Sequence, residues 1–363
     1  MRGAEREVHD MGARLVERQH KVDLWTGQPR GLTSHRVVDG VSVRYVRTPL
    51  PAPLARRGWT RESAFSAVAA VGAAASRADI VLSYLYADAY GASLARHLPG
   101  KRRGRPLVLK LTGAVPLWWL NEQGQRVERG FLRRALDAAD EVWVNSQYVA
   151  EAMADWDRPL HVVPVGLDER TFVPSAERAP EPVVLCTAAP HEPRKRLVDL
   201  LDGWRHVREA LPGATLMITQ RTTDETRATL LGRLHAEDRA SVRFTGLLDD
   251  AELARAYSRA WVMVAPSVHE AFGLMTVEAL ACGTPVAGAR SGATPELLSE
   301  PGTGALFEPT DPRSLAEAVV AAAAMAHQPG ARERCRAAAL RYAWPGIVDD
   351  AESRMQALLA RSR

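Results

Sequence analysis

The stretch Glu270-Ala271-Phe272-Gly273-Leu274-Met275-Thr276-Val277-Glu278-Ala279-Leu280-Ala281-Cys282-Gly283-Thr284-Pro285-Val286 sets two carboxylates on either side of a glycine turn and a helix start. It follows the apolar run Trp261-Val262-Met263-Val264-Ala265 and the break Pro266-Ser267, which puts Glu270 just past the carboxyl end of a strand. Gly273 permits a tight turn. Residues 274–281 favour helix, and Gly283-Thr284-Pro285 stops it. A helix that opens just past a strand offers unpaired N–H groups and a positive dipole end, both suited to a diphosphate. Glu270 precedes the helix, so the two carboxylates need not share a face. Taken alone, such a pair also reads as a dipole-stabilised helix acid and a turn cap.

Outward from this stretch, apolar runs rich in β-branched residues alternate with helix-period segments, which predicts parallel strands joined by right-handed helical crossovers. Strands are expected over 22–25, 41–46, 80–83, 107–111, 141–145 and 161–163. Helices are expected over 5–18, 63–76, 87–97, 131–138 and 148–153. Pro164, Pro174, Pro180 and Pro182 punctuate a stretch without periodicity, read as a linker over 165–182. The pattern then restarts with strands over 183–187, 215–219, 242–245, 261–265, 286–289 and 305–307. The expected domains are 1–164 and 183–340, with 341–363 crossing back to the first. In open parallel sheets ligands gather at the carboxyl ends of strands, where the candidate residues fall.

The 363 residues suffice for two full cores, and 46% hydrophobic with 25% charged residues is an ordinary globular composition. A net charge of +4, from 47 basic and 43 acidic residues, does not by itself imply nucleic acid. The three cysteines, Cys186, Cys282 and Cys335, lack metal-ligand spacing and fit reduced thiols in a cytoplasm. No run approaches the length of a membrane span, and Met1-Arg2-Gly3-Ala4-Glu5-Arg6 lacks a signal-peptide core, leaving peripheral membrane contact as the alternative.

The blocks Phe244-Thr245-Gly246-Leu247-Leu248-Asp249-Asp250, Ala265-Pro266-Ser267-Val268-His269 running into the opening stretch, Ser291-Gly292-Ala293-Thr294-Pro295-Glu296 and Gly304-Ala305-Leu306-Phe307 occur in register. Together they resemble the nucleotide-sugar domain of GT4-type retaining glycosyltransferases. The resemblance implies an α/β protein of the GT-B layout, two Rossmann-like domains with ligands in a cleft between them. Gly3-Ala4-Glu5 resembles the family's G-G-A-E loop, which normally follows a first strand. That strand is missing from this sequence, which predicts an empty central slot in the first sheet and a native start upstream of Met1.

The resemblance also distributes roles. Glu270 would contact the donor sugar's hydroxyls, backbone N–H groups at Phe272, Gly273 and Leu274 would hold the phosphate, and Glu278 would bind the ribose. Within Glu192-Pro193-Arg194-Lys195-Arg196, Lys195 stands the family's interval ahead of the aromatic Trp204 and would meet the diphosphate. The family's Gly-Arg pair is replaced by Ala189-Pro190, so Arg194 or Arg196 would supply the second cation. A charge cluster of this kind is otherwise a solvated basic loop. No cofactor or metal is expected, because the cations and the helix dipole would neutralise the leaving group.

On the acceptor side, Leu109-Lys110-Leu111-Thr112-Gly113 occupies the position where relatives end a strand in His-Gly, so the histidine is Thr112, which cannot serve as a base near neutral pH. Gly3, Lys110, Thr112 and Ser146 are the expected acceptor-side residues, with Ser146 also suited to capping a helix. Trp118 and Trp119 could stack on a ring, and Lys101-Arg102-Arg103 with Arg105 could meet an anionic acceptor. The resulting expectation is a cytoplasmic, metal-independent retaining transferase. It would move a hexose or amino-hexose from a UDP- or GDP-linked sugar to a hydroxyl acceptor, such as a natural-product aminocyclitol or a cell-envelope precursor. The alternative is a sugar-nucleotide-binding subunit that has lost turnover. A nicotinamide oxidoreductase would need G-x-G-x-x-G after a strand, and the sequence has none.

Overall fold

A computed structural model describes residues 4–27, 34–48, 50, 52–56, 59–97, 105–116, 126–190 and 192–362. The chain divides into two compact units, residues 1–165 with 345–363, and residues 166–344.

In the first unit, β1 (Asp23–Gly27), β2 (His35–Val38) and β3 (Val41–Val46) form one sheet in the order β1-β3-β2. β1 runs parallel to β3, whereas β2 returns antiparallel with Val38 opposite Val41. The periodicity of the sequence does not predict β2. Asp39 and Gly40 both take positive φ, 48° and 77°, the two-residue turn that matches the twist of a tight hairpin. The Val-Val-Asp-Gly-Val run carries that signal.

β4 (Val81–Ser83), β5 (Leu107–Leu111), β6 (Glu141–Val144) and β7 (Leu160–Val162) form a second, wholly parallel sheet in that order. Among the described residues β1 and β4 each pair on one side only, so the strands of the unit form two separate sheets. Helix Ala4–Glu17 buries Met11 and Leu15 from the side its periodicity marks.

The second unit is a six-stranded parallel sheet of β8 (Val183–Cys186), β9 (Thr215–Ile218), β10 (Val242–Phe244), β11 (Val262–Ala265), β12 (Val286–Ala289) and β13 (Gly304–Phe307). Its order is β10-β9-β8-β11-β12-β13, so the chain winds outward from β8 in one direction and from β11 in the other. Helices Leu197–Ala210 and Pro312–Ala326 cover one face, burying Leu200, Trp204, Val207, Val319 and Ala322 completely. Fully burying side chains such as Leu200, Val207 and Val319 contributes about 1.5–3 kcal/mol each. The Trp204 Nε1 donates to Ser241 Oγ at 2.8 Å, so the indole is buried without an unsatisfied donor.

Of residues 165–182, expected as a linker, 166–182 count with the second unit and Val165 with the first. Phe172 is fully buried, and arginines of helix Ala331–Leu340 hold this stretch through its carbonyls. Arg336 donates to Phe172 O at 3.0 Å and Arg332 to Ala176 O at 3.1 Å. Composition marks the prolines, but the arginines that satisfy the extended backbone lie some 160 positions away.

All three thiols are free and buried. Burial pushes Cys186, Cys282 and Cys335 each up to about 12. The folded protein should therefore resist thiol alkylation at pH 8 and yield all three groups once denatured, as a thiol titration with and without denaturant would show. Between about pH 9 and 12 the unfolded chain gives up these protons first, so stability should fall as pH rises through that window.

Candidate functional site

The reversal of winding between β8 and β11 opens a crevice at the carboxyl ends of the strands, the place where open α/β sheets hold ligands. Lys195 lies on the chain leaving β8 and Glu270 on the chain leaving β11, so both reach it.

Glu270 is held by its backbone. His269 adopts φ 54°, a left-handed conformation costly for a side chain with a Cβ, and its N–H donates to Ser291 Oγ at 3.0 Å. The Glu270 carbonyl accepts from Ala293 N at 2.9 Å, and Val268 N donates to Arg194 O at 2.9 Å. The loop after β12 and the cationic loop after β8 thus both fasten the Glu270 segment. Gly292 is the closest approach. A Cβ there would lie 2.5 Å from both the N and the O of Glu270.

The cations divide. Pro193–Lys195 forms a single 3-10 turn that brings Lys195 Nζ onto Glu270 Oε1, with Arg194 3.3 Å from Glu270 Oε2 and 2.9 Å from Glu192. Arg196 then takes φ 49° and turns onto Asp199 in a bidentate pair at 2.9 and 2.7 Å. Arg194, rather than Arg196, therefore accompanies Lys195 at Glu270.

Gly273 enters helix Leu274–Ala281 at φ 97° and, as the N-cap residue, has no side chain with which to cap it. The N-cap position therefore supplies no side-chain acceptor to the first N–H groups of the helix. Phe272 is buried edge-on against Tyr342, with ring centroids 5.3 Å apart, which fixes the turn ahead of the helix. Glu278 is 5% exposed and accepts from the Tyr257 hydroxyl at 3.3 Å.

Beyond β9 and β10, on the same edge of the sheet, an open cleft of about 360 Å³ is lined by Gln220, Arg221, Thr222, Thr223, Arg227, Phe244 and Gly246. The Arg227 guanidinium lies 5.7 Å from the Phe244 ring centre, a flat apolar and cationic surface. In the sequence Phe244 and Gly246 mark a block but do not announce the cleft, because its remaining walls come from a different loop.

In the first unit the expected acceptor residues separate. Lys110 is wholly buried, pairs with Glu7 at 3.0 Å and donates to Val163 O, so it is not a surface ligand. Ser146 is buried and caps helix Gln147–Ala152, accepting from Val149 N at 3.2 Å. Thr112 is half-buried at the carboxyl end of β5. Arg105 donates to Ser76 O at 3.2 Å, a structural contact rather than a free cation. Gly3, Trp118, Trp119 and Lys101, Arg102 and Arg103 lie outside the described residues.

Sequence profiles of two families match the chain: Glycosyltransferase Family 4 over residues 1–171 and Glycosyl transferases group 1 over residues 181–324. The chain belongs to the group 1 glycosyltransferases. The group 1 match contains Lys195, Glu270 and Glu278, and the Family 4 match contains Lys110, Thr112 and Ser146.

The MMP α-(1→4)-mannosyltransferase of Mycolicibacterium hassiacum is 30% identical over 206 residues, 54% of this chain and 49% of the relative. The phosphatidyl-myo-inositol mannosyltransferase of Mycobacterium leprae is 37% identical over 131 residues, 36% of this chain and 34% of the relative. These alignments thus span about half and about a third of the relatives' lengths. Sucrose-phosphate synthase from Thermosynechococcus elongatus superimposes with a TM-score of 0.79 at 21% identity, covering 99% of this chain and 94% of that one. The fold of this glycosyltransferase is accordingly GT-B, built from two Rossmann-like domains. Among its described residues no helix is long and apolar enough to cross a membrane.

Proposed function

We propose that this protein transfers a hexosyl or amino-hexosyl group from a nucleoside-diphosphate sugar to a hydroxyl, with retention of anomeric configuration. The observation that carries the reading is the meeting of Lys195, Arg194 and Glu270 in the crevice of the second unit, beside a helix start whose N-cap residue, Gly273, has no capping side chain.

In this reading Lys195 and the N–H groups from Phe272 to Leu274 take the diphosphate, compensating the charge that grows as the bond from phosphate oxygen to the anomeric carbon breaks. Glu270 accepts from hydroxyls of the sugar, and Glu278 from the ribose. The cleft bordered by Phe244 and Arg227 suits the base. The acceptor oxygen attacks the anomeric carbon on the face the leaving group departs, and its proton passes to the departing phosphate oxygen, so no protein base is required. Thr112 in place of a histidine is compatible with that route. The reaction uses no metal and takes place in the cytoplasm, with UDP or GDP as the leaving nucleotide. The relatives' names point to mannosyl transfer and to inositol-containing acceptors, and a polyol such as an aminocyclitol or a cell-envelope precursor belongs to the same hydroxyl-rich class.

A second reading, a sugar-nucleotide-binding subunit without turnover, draws on the first unit, where Lys110 is sealed inside the protein and Ser146 serves as a helix cap. Thermal-shift titration with UDP-, GDP- and dTDP-sugars tests the donor assignment, because a ligand that binds the folded state raises the melting temperature. Slow hydrolysis of the bound donor without acceptor separates transferase from binding subunit. If none of these nucleotides raises the midpoint, the donor assignment is wrong. Glu278→Ala should weaken nucleotide affinity about tenfold or more, the worth of a charged hydrogen bond, with bound-donor turnover little changed.

A further inference from the structure

Among the described residues Lys110 and Glu7 are the most deeply buried ion pair of the first unit, with side-chain exposures of 0% and 2% and a separation of 3.0 Å. Burial pushes the Glu7 carboxyl up and the Lys110 ammonium down, and each ion opposes the other's shift. A pair so desolvated gives little net stability over an apolar pair of the same volume, so stability alone does not account for it. Its connections are more informative. Lys110 also donates to Val163 O, just past β7, and Asn145 Nδ2 donates to Glu7 Oε2 at 3.5 Å, just past β6. One ammonium and one carboxylate therefore tie the carboxyl ends of β5, β6 and β7 to the first turns of helix Ala4–Glu17.

The neighbours of these residues form the rim of the unit. Thr112 stands two positions beyond Lys110, just past the end of β5. Ser146 follows Asn145 directly and caps the next helix. The segment after Thr112 has a second fastening, where Trp156 Nε1 donates to Val115 O at 3.0 Å and Val115 N approaches the Met153 sulfur at 3.2 Å.

We infer that Glu7 and Lys110 are positioning residues for the acceptor rim: their ion pair sets where Thr112 and Ser146 stand, without either ion touching the acceptor. The inference rests on the reading of this rim as the acceptor side. It replaces the role that the sequence suggests for Lys110 as a ligand. Two apolar side chains could fill the same space, but they have no directional bonds with which to hold three strand ends and a helix in one arrangement.

The test compares Lys110→Met, Glu7→Gln and the double variant Glu7→Leu/Lys110→Met in the full chain. It measures the melting midpoint, nucleotide affinity with UDP and GDP as probes, and amide hydrogen exchange over 111–116 and 145–150 with 262–270 as reference. The expected result is a lowered midpoint in each single variant, where one ion is left buried without its partner. The double variant should recover that midpoint, while exchange in its two rim segments stays at least tenfold faster than in the wild type. Nucleotide affinity and exchange over 262–270 should stay at wild-type values throughout. If the double variant restores wild-type rim exchange along with the midpoint, the pair is only structural and the inference is overturned. Wild-type rim exchange in the single variants overturns it equally. Failure of the wild type to bind either nucleotide would instead count against the proposed function, leaving the exchange result to stand or fall by itself.

Discussion

Alanine at Glu270 is expected to lower turnover about 10²–10³-fold, the loss usual when one group that stabilises a transition state is removed. Nucleotide affinity should hold or rise. In the unliganded protein Lys195 Nζ and Arg194 both sit on the Glu270 carboxylate, so part of their charge is already committed. Removing that carboxylate frees the cations for the diphosphate while depriving the sugar of an acceptor for its hydroxyls. Single-turnover kinetics with the donor, beside calorimetric titration with the free nucleotide, would display this split. A variant that lost nucleotide affinity but kept its turnover on saturation would exchange the roles of Glu270 and Glu278.

A side chain at position 292 should be nearly as damaging, although Gly292 carries no functional group. Its φ of +61° already excludes most residues, and the added Cβ would press on the N and O of Glu270 from 2.5 Å. Left-handed strain and overpacking together imply a loss of about 2 kcal/mol or more for Gly292→Ala. For a unit of this size that is a drop of roughly 4–8 °C in melting temperature. The damage should also be local. Ala293 N loses its alignment with the Glu270 carbonyl, so the variant, assayed well below its melting temperature, should share the turnover defect of Glu270→Ala. Wild-type turnover in a folded Gly292→Ala protein would show that the loop after β12 does not position Glu270.

Much of the donor side is legible in order along the chain. Trp261 to Ala265 is a run of apolar residues that suits a buried parallel strand, Gly273 is the residue that tolerates φ 97°, and Leu274 to Ala281 form a short helix ended by Gly283. These are local consequences of backbone sterics, so a short window is enough to read them. The hairpin at Asp39-Gly40 is equally local. Its signal is masked because the surrounding pattern suggests only parallel crossovers.

Side-chain direction is not legible in the same way. Arg194, Lys195 and Arg196 are adjacent and alike in charge, and nothing in the sequence separates the two that meet Glu270 from the one that turns away. That choice follows from a φ of 49° at Arg196 and from Asp199 one helical turn on. Lys110 misleads for a related reason. A lysine at a strand end ordinarily extends to solvent, and only a carboxylate more than a hundred positions earlier keeps this one inside.

By itself, then, the sequence determined the alternation of strands and helices, the glycine turn and the two carboxylates of the donor segment, since each depends on neighbours within a few residues. Tertiary structure alone decided the partners of the charges. Lys195 lies on Glu270 because β8 and β11 are adjacent where the winding reverses, and Lys110 lies on Glu7 because a helix packs over strand ends. A buried or crowded ion takes its role from whichever opposite charge the fold brings within about 4 Å, and sequence separation does not encode that distance.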